Sequence, residues 1–441
     1  MSERSNPPCA GGNATPPTPA IAPGAHERDP RVIAEALVER FGTTGTDPRL
    51  AAIIPGFDGP FFQAGLAGYS EAPMRLIARR HGCPVCVTEA LLDRTLLAGG
   101  RGFAKADLGD IADNVPGAAD DHPLIGQIMG SDPAEMAAAA VKMVEQGRRG
   151  ERAYRDEAYQ GESPDWFRQR QNGYVPPEGE PDPAPARTFA AIDVNLACPV
   201  KKIAKKARGG HWLAEPDGAV AILQAVRDAL PGEVPVTVKM RRSFDDTAEM
   251  RGSFLRIFDA AYDMGCAWVC VHGRTVEQKY VGPSRWDPIR ELVERRPDAP
   301  VLGSGDVWTA ADIVRMIDYT GVSAVSVARG CIGNPWIFRQ ARDLLAGREP
   351  SPPTLAEQRA VLEEHFELML ADNERRMRGR TAEEKHERAE GLTGRMMRKF
   401  GVRFAAHHPE PDAVKRAFTR VETLEGWRAV LAEHYATKGP A

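Results

Sequence analysis

The chain has 441 residues and a formal net charge of −4, with 42% hydrophobic and 27% charged residues. These values are ordinary for a soluble globular protein, and no segment approaches the roughly 20 apolar residues that a membrane span needs. Seven cysteines, a sparse and odd number, argue against a disulfide framework. The N-terminus has no presequence pattern, so we expect a cytoplasmic protein.

Residues 1–29 contain few large apolar side chains and many Pro, Gly, Ala and Ser residues. Such a segment cannot bury enough surface to offset the entropy of ordering it. We therefore predict a disordered N-terminal tail.

From about residue 60, short apolar runs alternate with amphipathic segments. This alternation predicts an α/β protein with parallel strands, and eight strands fit a closed (β/α)8 TIM barrel within residues 30–345. An open doubly wound sheet is the alternative. The predicted strands are Ala64–Ala67, Val85–Thr88, Leu124–Met129, Ala190–Val194, Val236–Met240, Trp268–Val271, Val301–Gly303 and Ala324–Ala328. The predicted helices between them are Glu71–His81, Pro133–Gln146, Asp217–Leu230, Ala248–Met264, Pro288–Arg296 and Ala310–Tyr319.

Two segments depart from this alternation. Residues 150–187 are charged and Pro-rich, and their length indicates an exposed insertion in the barrel. After the linker-like stretch GREPSPPT, helical patterns cover residues 354–375, 384–404 and 411–437. We therefore predict a smaller, all-helical C-terminal domain over residues 350–441.

Several cysteines have ordinary explanations. Cys83 and Cys86 have the spacing of a metal or redox pair, but no second pair and no paired histidines follow, so we expect no metal. Cys266 and Cys270 flank an apolar strand, where cysteine acts as a small hydrophobic residue.

Cys198 differs because it follows the end of the predicted strand AAIDVN. The carboxyl ends of barrel strands are where active sites are built. Asn195 precedes it, Pro199 stiffens the turn, and basic residues follow at Lys201, Lys202, Lys205, Lys206 and Arg208. Nearby cations favour thiolate and make a thiol a competent acid, so Cys198 is a candidate catalytic residue.

Other polar side chains end neighbouring strands, namely Gln127, Lys239, His272 and Arg274. The last two strands are followed by the Gly-rich turns GSGDV and VARGCIGNP, which are typical of a barrel's phosphate site. A phosphate site beside polar groups suits flavin mononucleotide (FMN), a flat heterocycle that carries a phosphate.

Taken in order, these motifs resemble those of the tRNA-dihydrouridine synthase family. The segment DVNLACPVKK…GGHWL is similar to the family's D-[IV]-N-x-G-C-P-x-x-K…G-[GS]-x-L, and QAGLAGYSEAPMR, TEALLD and GQIMGSDPAEMA resemble its earlier motifs. VKMR, VHGRT, GSGDV and VARGCIGNPWIF complete the set, over roughly residues 60–345. Gly65-Leu66 replaces the family's Pro-Met, and Ala197 and Ala328 replace glycines.

The resemblance implies an oxidoreductase that holds FMN non-covalently and takes electrons from NADPH or NADH. A hydride would pass from flavin N5 to C6 of a uracil in tRNA, while Cys198 gives a proton to C5. Asn195 and Arg274 would orient the uracil or the flavin. The implied flavin contacts are Gly65, Leu66, Ala67, Gln127, Lys239, His272, Ser304, Gly305, Asp306, Ala328 and Arg329.

A tRNA substrate explains why basic residues cluster in a mildly acidic chain. The Lys201–Arg208 run would meet phosphates beside a uracil turned out into the pocket. A second patch on the helical domain would hold the RNA backbone, and it comprises Arg395, Arg398, Lys399, Arg403, Lys415, Arg416 and Arg420. We expect a monomer. Two alternatives stay open, a catalytically silent tRNA-binding protein and an FMN-dependent reductase of free pyrimidines.

Overall fold

The computed structural model describes residues 28–97, 121–147, 189–200, 208–377 and 381–436. Its strands are β1 (Phe61–Gln63), β2 (Cys86–Val87), β3 (Leu91–Leu92), β4 (Leu124–Met129), β5 (Ala191–Leu196), β6 (Val236–Arg241), β7 (Trp268–His272), β8 (Val301–Ser304) and β9 (Ala324–Val327).

All strand pairs among these residues are parallel. Neighbouring strands pair from β4 to β9 in sequence order, β1 pairs with both β2 and β9, and β2 pairs with β4. These pairings close an eight-stranded barrel, and β3 lies outside it as a two-residue strand beside β4. The TIM barrel prediction is confirmed, and the open-sheet alternative is wrong because the last strand returns to the first.

Helices cover the outside of the barrel. They are α3 (Ala72–Arg80), α4 (Asp93–Leu97), α5 (Pro133–Gly147), α6 (Pro216–Ala229), α7 (Ala248–Asp263), α8 (Asp287–Arg295), α9 (Ala310–Thr320) and α10 (Trp336–Leu345). Capping explains where several of these helices begin. At the start of α9, the Thr309 side chain accepts a hydrogen bond from the Asp312 backbone N–H, and the Asp312 side chain accepts one from the Thr309 backbone N–H. The even-numbered positions of β5 and β6 face these helices and form the outer core with them, as Ile192 and Val238 do.

Between Arg28 and the first strand the structure has two helices that were not predicted, α1 (Pro30–Phe41) and α2 (Pro48–Ile53). Each begins with an Asp-Pro pair whose aspartate caps the first turn. Leu50 of α2, with Ile54 and Phe57, packs against the inward-facing residues Phe62 and Trp268. This short helix therefore closes the amino end of the barrel.

The predicted first strand at Ala64–Ala67 is wrong, because the strand is Phe61–Gln63 and a loop follows it. Gly68 has a φ of 72°, in the left-handed region that favours glycine. A Cβ at Gly65 would lie 2.4 Å from the Thr88 carbonyl oxygen. The glycines thus permit a tight loop in place of a continued strand.

Four helices follow the barrel, α11 (Leu355–Arg376), α12 (Ala382–Phe404), α13 (Pro411–Phe418) and α14 (Leu424–His434). The predicted single helix over 411–437 is two, because the Thr423 side chain caps a new helix after a break. Phe366, Phe418 and Trp427 pack ring against ring between them, with centroid distances of 5.3 and 4.7 Å to Trp427. The C-terminal helices thus have an aromatic core.

The predicted insertion at 150–187 lies outside the described residues. The predicted tail over 1–29 lies outside them too, except for its last two residues from Arg28. Within the part of the chain that the structure describes, no helix is long and apolar enough to cross a membrane.

Candidate functional site

The interior of the barrel changes from apolar to polar along its axis. Near α2 it is lined by Phe62, Ile125, Trp268 and Leu302. Toward the carboxyl ends of the strands, which we call the mouth, the inward positions of β5 and β6 become polar. Strand register sets Asn195 beside Lys239 and Arg241 beside His272.

A chain of hydrogen bonds runs from the interior to the loop after β5. The Asp193 carboxylate accepts from Gln127 Nε2 at 2.8 Å and from the Thr237 hydroxyl at 2.7 Å. Gln127 Oε1 accepts from Asn195 Nδ2 at 2.7 Å. Asn195 Oδ1 in turn accepts from the backbone N–H groups of Ala197 at 2.9 Å and Cys198 at 3.2 Å. Burial raises the pKa of Asp193 to about 6.

Cys198 lies at the end of this chain and is half-buried. It packs against Ala90, Leu92 and Met129. Burial raises the pKa of the Cys198 thiol and outweighs the opposing effects of the Val200 N–H and the Arg241 charge. The lysines on which the thiolate expectation rested, Lys201 to Lys206, lie outside the described residues, and among the described ones the effect of burial prevails. The thiol is protonated at neutral pH, which is the form that an acid needs.

Four cationic side chains, those of Lys239, Arg241, Arg274 and Arg329, surround His272 at the mouth. Arg274 and Arg329 both bond to Asp306, at 2.6 and 3.2 Å. Of the remaining two, Arg241 donates to the carbonyls of Ala197, Thr275 and Lys279. The Lys239 amine makes no hydrogen bond or ion pair in the described chain, although the Asp193 carboxylate acts on its charge. Burial lowers the pKa of Lys239 and lowers that of Arg241 to about 10. The mouth is therefore an electropositive site.

Burial and the four cations hold the pKa of His272 well below its usual value, so its ring is neutral. Its Nδ1 accepts from the Arg274 backbone N–H at 3.1 Å. The proton of the neutral ring is therefore on Nε2, which makes His272 a neutral donor.

The loops after β8 and β9 are packed closely against their neighbours. Gly305 has a φ of 119°, and a Cβ there would lie 2.2 Å from Ser284 Oγ. A Cβ at Gly330 would lie 2.2 Å from the Val307 carbonyl oxygen. Ser304 donates to the Ser326 carbonyl at 3.1 Å, and Ala328 precedes a single 3₁₀ turn. Backbone thus lines this side of the mouth, as a phosphate site requires.

The loop after β1 carries Gly65, Leu66 and Ala67, the last of which is exposed. The Leu66 N–H donates to Ser70 Oγ at 2.6 Å, and Arg75 Nη1 donates to the Ser70 carbonyl at 2.6 Å. Arg75 is itself held by Asp121 at 2.7 Å, with both side chains fully buried. A buried ion pair therefore anchors this loop from below.

Lys399 holds the same loop from above and does not stand free in the predicted basic patch. Its amine donates to the Gly68 carbonyl, lies 3.8 Å from the Glu71 carboxylate and stands over the Tyr69 ring at 5.0 Å. In contrast, Arg395 is exposed on the same helix.

Other predicted basic residues have mixed outcomes. Arg208 forms an ion pair with Glu215 and stacks on Trp212 at 4.7 Å, while Lys201, Lys202, Lys205 and Lys206 lie outside the described residues.

Cys266 and Cys270 are buried in the core as predicted. Cys83 and Cys86 are buried with their sulfurs 3.9 Å apart. No metal-binding group of three or more His, Cys, Asp or Glu occurs over the described ranges.

The sequence reasoning missed three residues of this site. Asp193 and Arg241 each lie two positions from a predicted residue on the same strand, so strand periodicity could have found them. Tyr280 is 46% exposed and lies over both Arg241 and Arg329, at 5.6 and 5.2 Å from ring centroid to guanidinium. It lies within the loop after β7 and carries no comparable sequence signal.

Comparison with known proteins gives a consistent result. A family described as dihydrouridine synthase (Dus) matches residues 184–409. A probable tRNA-dihydrouridine synthase of Mycobacterium tuberculosis (strain ATCC 25618 / H37Rv) is 32% identical over 237 residues, which are 53% of this chain and 56% of that protein. The tRNA-dihydrouridine synthase B of Shewanella oneidensis is 38% identical over 176 residues, which are 40% of this chain and 53% of that protein.

The match to these two relatives spans about half of each relative's length. A longer match is found with the tRNA-dihydrouridine synthase B of Xanthomonas campestris pv. campestris. It is 26% identical over 373 residues, which are 84% of this chain and 91% of that protein.

Proposed function

Because the chain belongs to the dihydrouridine synthase family, we propose that it reduces a uridine of tRNA to dihydrouridine, with bound FMN as cofactor and NADPH or NADH as reductant. One observation carries the proposal. A thiol kept protonated by burial and a cationic, backbone-lined site meet at the same barrel mouth. The first suits a proton donor, and the second suits an anionic cofactor.

The donor groups at the mouth fit FMN, which brings a phosphate dianion and, when reduced, negative charge on its ring. Arg274 Nη1 is buried without a hydrogen-bond partner in the described chain. Lys239 is half-buried, and its amine makes no hydrogen bond or ion pair there, although the Asp193 carboxylate acts on its charge. A buried cation is costly unless an anion joins it. Asp306 and Asp193 face four cations between them, so an anionic ligand would complete the site.

We assign the phosphate to Ser304–Asp306 with Ala328 and Arg329, and the ring to Lys239, His272 and the loop at Gly65–Ala67. Lys239 would stabilise negative charge on the reduced ring. The Gln127 amide already bonds to Asp193 and Asn195, so its second Nε2 proton and the second lone pair of Oε1 are left for the ring edge.

When bound and reduced, FMN supplies the hydride that adds to C6 of the uracil. Cys198 gives its proton to C5, so that one hydride and one proton together saturate the C5–C6 bond. Burial keeps that proton on sulfur at neutral pH. Asn195, Arg241 and Arg274 lie beside this thiol and the cationic site, where we expect them to orient the uracil.

We assign tRNA binding to the basic residues of the helical domain and to the run before Arg208. Arg395 is exposed, and Arg398 lies 3.9 Å from Glu422, an exposed pair that a phosphate can displace. Contacts of this kind predict that tRNA affinity falls steeply with salt.

The test is a reconstitution with purified protein. FMN released on denaturation, NADPH oxidation, and a gain of two hydrogens at a uridine of tRNA are the expected results. Free uracil and dihydroorotate serve as competing substrates. Turnover of those alone would favour a reductase of free pyrimidines, and protein that binds tRNA without FMN would favour a silent binding protein.

A further inference from the structure

We propose that Asp193 is a positioning residue that fixes the direction of the hydrogen-bond chain ending at Cys198. The inference rests on the proposed role of Cys198 as proton donor. It adds a residue that lies beneath the site and acts through Gln127 and Asn195.

The donor-to-acceptor direction of this hydrogen-bond chain is fixed at both ends. Backbone N–H groups can only donate, so Asn195 presents Oδ1 to Ala197 and Cys198. An ionised carboxylate can only accept, so Gln127 presents Nε2 to Asp193. The middle bond, from Asn195 Nδ2 to Gln127 Oε1 at 2.7 Å, agrees with both ends.

Without the carboxylate, nothing at the inner end fixes Gln127. If the Gln127 amide turns over, its NH₂ group faces the NH₂ group of Asn195, and two donors oppose each other. Asn195 then turns away from Ala197 and Cys198 or loses its inner partner. Either outcome loosens the loop that holds the half-buried thiol.

Three variants separate this role from general packing. Asp193→Leu removes the acceptor and keeps the branched shape of the side chain, although the two methyl groups are larger than the oxygens that they replace. Asp193→Asn keeps one oxygen for Gln127, because the Thr237 hydroxyl can turn to accept from the new NH₂ group. Thr237→Val removes the other bond to Asp193, which measures 2.7 Å, and leaves the chain to Cys198 intact.

The readout is the rate at which iodoacetamide modifies Cys198, followed by mass spectrometry of its peptide. The other described cysteines are buried, so the peptide isolates the one partly exposed thiol among them. We expect Asp193→Leu to react about three- to tenfold faster than the parent chain. Asp193→Asn and Thr237→Val should stay within about twofold. In reconstituted enzyme, kcat should fall about tenfold or more in Asp193→Leu while KM for tRNA is unchanged.

A folded Asp193→Leu chain with the parental alkylation rate overturns the inference, as does an equal acceleration in Thr237→Val. If Asp193→Leu does not fold, Gln127→Met decides by the same readout. Faster alkylation of Cys198 supports the hydrogen-bond chain, and the parental alkylation rate overturns the inference. If the unmodified protein binds no FMN, the proposed function is refuted, and the alkylation rates still test the hydrogen-bond chain.

Discussion

The amine of Lys399 donates a hydrogen bond to the carbonyl oxygen of Gly68 and so joins helix α12 to the loop after β1. The same helix meets the loop after β9, where a Cβ at Gly333 would lie 2.6 Å from that of Arg403. One helix of the C-terminal unit therefore touches the loops that follow two neighbouring strands of the barrel.

This contact predicts a role for Lys399 in flavin binding. Lys399→Gln removes the charge near Glu71 and Tyr69, so the loop becomes looser and the Kd for FMN should rise about three- to tenfold. Fluorescence titration of FMN measures this change. Arg395→Gln is the matched control, and it should weaken tRNA binding with FMN affinity unchanged. The reverse pattern would mean that Lys399 contacts tRNA directly.

Removal of the Cys198 thiol should separate the two half-reactions. Cys198→Ala should keep bound flavin and NADPH oxidation but lower dihydrouridine formation by about 100-fold or more, because C5 then lacks its acid. Mass spectrometry of tRNA nucleosides gives the rate. Cys266→Ala, in the outer core, should leave that rate unchanged. Undiminished dihydrouridine formation without Cys198 would contradict the assigned proton donor.

The pH dependence of that step follows from the direction of the pKa shift. Burial raises the pKa of Cys198, and an acid must be protonated to act, so kcat should be constant through neutral pH. It should fall only as pH rises above the usual thiol value of about 8.5. Single-turnover rates with pre-reduced enzyme test this. A decline that begins below pH 7 would show that another group is the acid.

Lys239 should contribute to flavin affinity through its charge. Lys239→Met keeps most of the side-chain length but removes a cation from the mouth, and the Kd for FMN should rise about tenfold. Equilibrium dialysis provides the measurement. Lys279→Met, at an exposed lysine of the mouth, should bind FMN as the parent does. Equal losses in both variants would indicate a nonspecific charge effect.

The buried Arg75–Asp121 pair should dominate the stability of the loop after β1. Both side chains are fully buried, so Arg75→Met removes the cation paired with the buried Asp121 carboxylate and should cost about 3–5 kcal/mol in the free energy of unfolding. The double variant Arg75→Met/Asp121→Leu should recover most of that loss. Urea denaturation measures both. A double variant as unstable as the single one would assign the loss to packing.

The sequence was most informative where local rules decide the structure. Alternating apolar and amphipathic segments identified most of the barrel strands, and residues at strand ends, such as Lys239 and His272, met at one mouth as expected. Helix α2 was missed because Leu50 is the one buried residue among its six, and the apolar residues that pack with it, Ile54 and Phe57, lie beyond the end of the helix.

Interactions across the chain were harder to predict. Lys399 looks like part of a basic patch in sequence, and only tertiary packing places it against Gly68 and Tyr69. Burial raises the pKa of Cys198, and this burial depends on residues such as Leu92 and Met129 that are far away in the chain.

Pairing between β1 and β9 joins Phe61 to Val325, so the ring of strands closes only when distant parts of the chain meet. During synthesis, Phe61–Gln63 must wait with one edge unsatisfied until Ala324–Val327 has left the ribosome. We expect closure to be a late, slow event in folding, with nascent chains that end before Ala324 remaining sensitive to proteases near Phe61.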